Sequence, residues 1–203
     1  MHRELVLATH NRHKGGELAA LLADLPIRIR TMDEFPEVPD VVEDGATCEA
    51  NAIKKARAVS EATGLLAIAD DTGLEVDALA GRPGVYAARY AGPKATYEDN
   101  WKKLLQEMTG IPRDRRTARF MTVAAVASPS QTVEVATGWL EGLITEEPAG
   151  ARGFGYDPVF YVPELGKTLA ELSSEEKNRI SHRAKAFAQV RNLLHNRLQS
   201  RQN

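Results

Sequence analysis

Residues 65–74 read LLAIADDTGL, an apolar run of strand length that stops on two adjacent carboxylates, Asp70 and Asp71, followed by Thr72 and Gly73. A continuous apolar run of this length bounded by turn residues reads as a buried strand, so the rest of the chain must supply its cover. Leu5 to Thr9 (LVLAT) is a second such strand, and Leu18, Leu21, Leu22 and Leu25 follow it at helical spacing. Between them, residues 43–63 carry Thr47 as a helix N-cap, Ala-rich helical sequence, and Gly64 as a stop just before the opening strand. Thr96 caps a third helix, with Trp101, Leu104, Leu105 and Met108 on one face and Gly110 and Pro112 closing it.

The second half changes character. Residues 118–127 and 132–138 are strand-like and separated by SPSQ, which predicts an antiparallel pair and therefore a mixed sheet. Ser173 and Glu176 have capping-box spacing, and Ile180, Ala184, Phe187, Val190 and Leu194 line an apolar face of a terminal helix. The expectation is an α/β protein with no internal repeat and no low-complexity linker.

Composition bounds the function. At 203 residues the chain fits one domain, and 43% hydrophobic with 27% charged residues is ordinary for a folded protein. A net charge of -2 argues against coating nucleic acid by bulk electrostatics. With Cys48 alone, neither an intramolecular disulfide nor a cysteine zinc cluster can form, which suits a reducing cytosol. The N-terminal apolar run is too short for a signal peptide and no stretch has the length of a membrane span, so a cytoplasmic protein without a membrane partner is expected.

Chemistry gathers at the ends of these elements. Asp70 and Asp71 read either as a turn or cap, or as a divalent-metal site, since hard Mg2+ takes oxygen ligands and close like charges need a cation between them. Thr9-His10-Asn11-Arg12-His13-Lys14 supplies a hydroxyl, an amide and cations where a helix begins, a setting suited to phosphate, although for Arg12 and His13 the residues themselves favour a solvated basic turn. His10 and His13 lack the intervening Glu of a zinc-protease helix. Gly153-Phe154-Gly155-Tyr156-Asp157-Pro158 reads as a loop letting backbone approach a ligand while a ring stacks on it, or as a tight turn with core aromatics. Lys177, His182 and Arg183 bring donors to the last helix, or form an exposed basic face. Leu165-Gly166-Lys167-Thr168 is no Walker loop, because Tyr161 holds the early glycine position. Two adjacent aspartates likewise lack the one-residue spacing of phospho-aspartate phosphatases.

Taken in order, the blocks resemble one family over nearly the whole chain, the inosine triphosphate pyrophosphatases, also described as dITP/XTP pyrophosphatases. They are Thr9-x-Asn11-x-x-Lys14; Glu43-x-Gly45-x-Thr47 with Asn51-Ala52; Ala69-Asp70-Asp71-Thr72-Gly73-Leu74; Pro83-Gly84-Val85-Tyr86-Ala87-Ala88-Arg89-Tyr90; Phe154-Gly155-Tyr156-Asp157-Pro158; and Glu176-Lys177 with Ser181-His182-Arg183. The resemblance implies an α/β fold in which helices flank an elongated mixed β-sheet, as a single bilobed domain over residues 1–203 with a central active-site cleft. It further implies a homodimer and a Mg2+-dependent enzyme that hydrolyses ITP, dITP and XTP to the monophosphate and pyrophosphate, with no nucleic-acid partner.

It also implies roles. Thr9, Asn11 and Lys14 hold phosphates, with His10, Arg12 and His13 in the same turn. Glu43 and Asp71 serve the metal, Asp71 is the proton acceptor, and Thr72 lies at the substrate. Phe154, Gly155, Tyr156, Asp157, Lys177, His182 and Arg183 shape the nucleoside pocket. The chain departs from the pattern at Cys48, where an aromatic is usual, and at Ala50, where Glu is frequent, while Asp44 competes with Glu43 as the acidic ligand.

On this reading a water attacks the α-phosphorus under Asp71, and Asp70 acts through water or from behind. A pocket of donors accepts the 6-carbonyl of hypoxanthine or xanthine and is left unpaired by adenine, with His182 and Arg183 expected at the base edge. Exclusion of guanine then depends on its 2-amino group. On one straight helix Lys177 and His182 would point about 140° apart, which predicts a break between Asn178 and Ser181. The alternatives are a nucleotide-binding regulator without turnover, a phosphomonoesterase, and a pyrophosphatase for modified pyrimidine nucleotides.

Overall fold

The computed structural model describes residues 3–199. In chain order the regular elements are β1 (Arg3–Leu7), α1 (Arg12–Leu21), β2 (Ile27–Thr31), α2 (Cys48–Thr63), β3 (Leu66–Val76), β4 (Pro83–Gly84), α3 (Tyr97–Glu107), β5 (Thr117–Ala127), β6 (Glu134–Ile144), β7 (Phe160–Val162), β8 (Lys167–Thr168), α4 (Ser174–Ile180) and α5 (His182–Gln199). The eight strands form one mixed sheet in the order β2-β1-β3-β5-β6-β7-β8, with β4 paired to β3. No described helix is long and apolar enough to cross a membrane.

Helix ends follow the sequence signals closely. Thr47 Oγ1 accepts from the Ala50 N–H at 3.1 Å and α2 closes at Gly64 in the left-handed conformation. Thr96 with Asp99, and Ser173 with Glu176, form reciprocal capping boxes at α3 and α4. The break before the last helix is present: Ser181 is extended, at φ -64° and ψ 154°, between α4 and α5.

The chain divides into two compact units. The first runs to Asp71 and adds Thr122–Gly138 and the chain from Arg183 onward; the second comprises Thr72–Met121 and Trp139–His182. In the first unit β1 pairs in parallel with β2 and β3, with Leu5 opposite Ile29 and Leu66, and Leu7 opposite Ile68. Leu5, Leu7 and Ile68 bury against Leu18 and Leu22 of the α1 segment and against Phe187, Val190 and Leu194 of α5. Strand residues alternate between faces, so Asp70 continues the face of Ile68, and Asp71 the face of the buried Ala67 and Ala69.

The second unit has its own core, built from Leu74, Val76, Leu104, Met108, Phe120, Leu140, Ile144, Val159 and Phe160 among others. The α3 stripe is core packing, with Leu104 and Met108 fully buried and Trp101 and Leu105 partly so.

Two strand boundaries differ from expectation. β3 does not end at the aspartates but continues to Val76, because Leu74 and Glu75 find antiparallel partners in Gly84 and Pro83. β6 likewise runs on from Gly138 to Ile144, where exposed Trp139 and Glu141 alternate with buried Leu140, Gly142 and Ile144. Like charges inside a strand are supported by what each face meets, and that is a property of the site.

Candidate active site

Asp71 faces the first turns of α2. Asn51 Nδ2 donates to Asp71 Oδ2 at 3.0 Å, and Asn51 Oδ1 accepts from the Gly45 N–H at 2.8 Å, tying the 43–47 loop to β3. A Cβ on residue 45 would stand 2.6 Å from that Asn51 oxygen, so the loop needs glycine there for close approach. Lys55, four residues along α2, places Nζ 2.6 Å from Glu43 Oε1 and 2.6 Å from the Asp70 carbonyl oxygen. Glu43 therefore turns toward the aspartate pair, while Asp44 meets Lys54 at 2.6 Å on the exposed side. Of the two acids left open by the sequence, Glu43 meets the lysine that also reaches the Asp70 carbonyl, and Asp44 meets Lys54.

Burial raises the Asp71 carboxyl above its ordinary value, against the opposing pull of Lys55 and Asn51. Cys48 lies alongside, its thiol pushed up to about 12 by burial and then by the charge and hydrogen bond of Asp71, so it stays a neutral donor. Among the described residues no three His, Cys, Asp or Glu side chains are grouped to hold a metal. Two carboxylates nonetheless fit Mg2+, a hard cation commonly held by one or two carboxylates and completed by substrate phosphates and water.

Asp70 meets the opposite helices. Its Oδ2 receives Arg183 Nε at 3.3 Å and Nη2 at 3.2 Å, with Lys14 Nζ at 3.5 Å, while Arg183 Nη1 reaches Glu17 Oε2 at 2.7 Å. Burial opposes ionisation of Asp70, but Lys14, Arg183 and Lys55 outweigh it and hold the carboxyl below its usual range. Lys14 keeps 17% of its side chain exposed and is reachable from solvent; Arg183 keeps 2%. The turn before α1 is ordered by Asn11, whose Oδ1 accepts from the His13 and Lys14 N–H groups and whose own N–H donates to Thr9 Oγ1. Arg12 and His13 are exposed, and His10 pairs with Asp40 at 3.0 Å on the surface.

In the second unit the loop 153–158 is organised by one carboxylate. Asp157 Oδ2 accepts from the Phe154 N–H at 2.9 Å and from Lys177 Nζ at 2.6 Å, with Asp157 and Lys177 both buried. Gly153, at φ +73°, brings its α-carbon so near that a Cβ would sit 2.0 Å from that same oxygen. The half-buried Phe154 ring has Lys177 Nζ 4.9 Å from its centroid and the Tyr97 ring, tilted by 43°, at 5.7 Å. Tyr156 donates its hydroxyl to the Ala87 carbonyl at 2.8 Å, which joins the 83–90 block to this loop and leaves Tyr156 a structural strut. Thr72 and Gly155 are half-buried.

Arg183 and His182, expected at the base edge, are both buried and engaged within the chain. His182 is buried and stacked on Phe120, centroids 4.5 Å apart and planes 18° apart, and the Arg183 guanidinium is committed to Asp70 and Glu17. α5 begins at His182, so the two successive side chains leave it about 100° apart and meet different partners. Lys55 and Glu17 were missed as site residues, and Asn51 was noted only as part of a block. The signal was available in α2, where Cys48, Asn51 and Lys55 recur at i, i+3 and i+7 on the face that buries Ala52 and Ala56.

The profile of the Ham1 family matches residues 5–193. A dITP/XTP pyrophosphatase of Desulforamulus reducens is 52% identical over 195 residues, covering 96% of both chains, and one of Geobacillus kaustophilus is 50% identical over 188 residues, covering 93% of this chain and 92% of that one. The solved structure of a HAM1 protein from Coxiella burnetii superposes with a TM-score of 0.87 at 43% identity, covering 96% of this chain and 99% of that one. The chain belongs to the Ham1 family.

Proposed function

We propose that this protein hydrolyses noncanonical purine nucleoside triphosphates, such as dITP, XTP and ITP, to the monophosphate and pyrophosphate. The observation that carries the reading is Lys55, whose ammonium meets both Glu43 and the Asp70 carbonyl oxygen, beside Asp71 held by the Asn51 amide. The name dITP/XTP pyrophosphatase borne by relatives near 50% identity over almost their whole length supports the substrate class.

Glu43 and Asp71 are the residues to hold Mg2+, which when bound supplies charge neutralisation to the triphosphate. Lys14, at the Asn11-capped turn with Thr9, takes phosphate oxygens. Asp71, held by Asn51, accepts the proton of a water attacking the α-phosphorus; the bond to the bridging oxygen breaks and pyrophosphate leaves. Burial raises its carboxyl above the ordinary value, the direction that makes it a stronger proton acceptor. The Phe154 ring, braced by Tyr97 and Lys177, is the stacking surface for the base. The homodimer and the single functional domain over residues 1–203 are part of this proposal on the resemblance alone; sedimentation equilibrium tests the first.

Product analysis after incubation with Mg2+ and ITP, XTP, dITP, GTP or ATP tests the reaction. Monophosphate plus pyrophosphate from the first three, with little from GTP or ATP, is the expected outcome. Orthophosphate as the first product would replace this reading with a phosphatase, and no turnover on any of them would replace it with a binding protein.

A further inference from the structure

The apolar stripe of α3 runs on past the core of the second unit. Tyr97, Trp101, Leu104 and Met108 recur at i, i+4, i+7 and i+11, so they share one side of the helix. Met108 and Leu104 are fully buried and Trp101 partly so, whereas Tyr97, the first residue of the helix, leaves 39% of its surface exposed. There it meets the half-buried Phe154 ring, with centroids 5.7 Å apart and planes tilted by 43°.

Both rings are held from behind. Thr96 Oγ1 accepts from the Asp99 N–H at 3.1 Å, and Asp99 Oδ2 accepts from the Thr96 N–H at 2.9 Å, which fixes where the helix starts and so where Tyr97 leaves it. One turn on, the buried Asn100 donates from Nδ2 to the Ala88 carbonyl at 3.1 Å and accepts the Ala91 N–H on Oδ1 at 2.8 Å. From the loop that carries Phe154, the Tyr156 hydroxyl donates to the adjoining Ala87 carbonyl at 2.8 Å. Residues 87–91 therefore tie the first turn of α3 and the 153–158 loop to one frame, and the spacing of the two rings is set before any ligand arrives.

We propose that Tyr97 contacts the nucleoside directly, its ring forming with Phe154 an aromatic corner that receives the base. The proposal rests on the reading of Phe154 as the base-stacking ring and adds a second wall to it. Two rings tilted to one another offer a planar base a stack on one and an edge contact on the other. Every base has a π face, so such a corner favours a nucleotide over bare polyphosphate and leaves the choice among purines to polar groups.

The test compares wild type, Tyr97→Phe and Tyr97→Ala by binding of IMP and of inorganic pyrophosphate, by steady-state kinetics with ITP and XTP, and by thermal melting. Alanine favours a helix and leaves the Thr96–Asp99 box intact, so α3 should form in the variant. For Tyr97→Ala a roughly tenfold loss of IMP affinity and a similar rise in KM for ITP and XTP are expected. Its kcat and pyrophosphate affinity should stay within about twofold of wild type. Tyr97→Phe, which keeps the ring, should match wild type. Added to Phe154→Leu, Tyr97→Ala should raise KM further. Unchanged IMP affinity in Tyr97→Ala, whatever its melting temperature, would overturn the proposal, and so would an equal loss of IMP and pyrophosphate. A Phe variant as weak as the Ala variant would refute the ring contact, and a Tyr97 effect that vanishes beside Phe154→Leu would leave Tyr97 a brace for Phe154. If wild type binds IMP but turns over neither triphosphate, the hydrolase reading fails and the IMP affinities decide on Tyr97 by themselves. A wild type that neither binds IMP nor turns over ITP would refute both.

Discussion

Asp70 and Asp71 are the same residue type, one peptide bond apart in the same strand, and the two faces of β3 make them different acids. On the Ile68 face, Asp70 is surrounded by Lys14 and Arg183 and is held ionised although fully buried. On the Ala69 face, burial raises the Asp71 carboxyl and Glu43 adds to the rise, and the opposing pull of Lys55, the Asn51 amide and Lys14 does not offset them. Desolvation acts on both; the neighbours decide which effect wins. One face holds its carboxylate ionised, and the other holds a carboxyl that keeps its proton more readily.

The sharpest way to break this comparison is to neutralise each acid in turn. Asp71→Asn is expected to lower kcat by about a thousandfold, within the range for loss of a general base. It is also expected to melt no lower than wild type at neutral pH without metal. The sign follows from linkage: a carboxyl whose folded pKa is raised favours folding below its unfolded pKa and loses that contribution as pH rises through the folded value. Asparagine carries no such loss, so any gain over wild type should vanish on acidification below the ordinary Asp range, which melts at two pH values would show.

Asp70→Asn should behave in the opposite sense. It leaves Arg183 and Lys14 without their shared buried anion, a change that costs about 3–5 kcal/mol and should appear as a large drop in melting temperature. Because the folded pKa of Asp70 is depressed, its contribution is present above the unfolded value and lost as pH falls through the folded one. The gap between wild type and variant should therefore close at strongly acid pH. Equal melting of the two proteins at neutral pH would refute the assignment of Asp70 as the fixed charge.

Smaller effects probe the Asp71 face alone. Gly45→Ala sets a Cβ against Asn51 Oδ1 and should displace the amide that holds Asp71. A fall in kcat of roughly tenfold with little change in KM is expected from a misaligned base. Asp44→Ala should leave kcat and KM within about twofold, since Asp44 forms only an exposed pair with Lys54 and such pairs contribute little. A loss comparable to that of Glu43→Ala would transfer the second acid from Glu43 to Asp44.

Much of the architecture was legible because it rests on local rules. Thr47, Thr96 and Ser173 cap helices as their side chains require, Gly64 stops α2, and the about 140° separation of Lys177 and His182 foretold the extended Ser181 between α4 and α5. The continuation of β3 beyond Asp71 was not legible, since a pair of like charges marks a strand end unless partners on both faces and β4 beyond them are known.

The amino-acid sequence by itself determined the α/β class and the helix ends. Motif order alone singled out Asp71, Glu43, Lys14 and the Phe154 loop. Only the tertiary structure decided what each charge does: that Glu43 and not Asp44 shares Lys55, that Arg183 answers Asp70 and Glu17, and that His182 stacks on Phe120. Caps and periodicity act between residues a few positions apart, so they are written in the chain. The state of a buried charge depends on groups brought from distant segments, as Glu17 and Arg183 are across 166 positions, and on the water their packing removes.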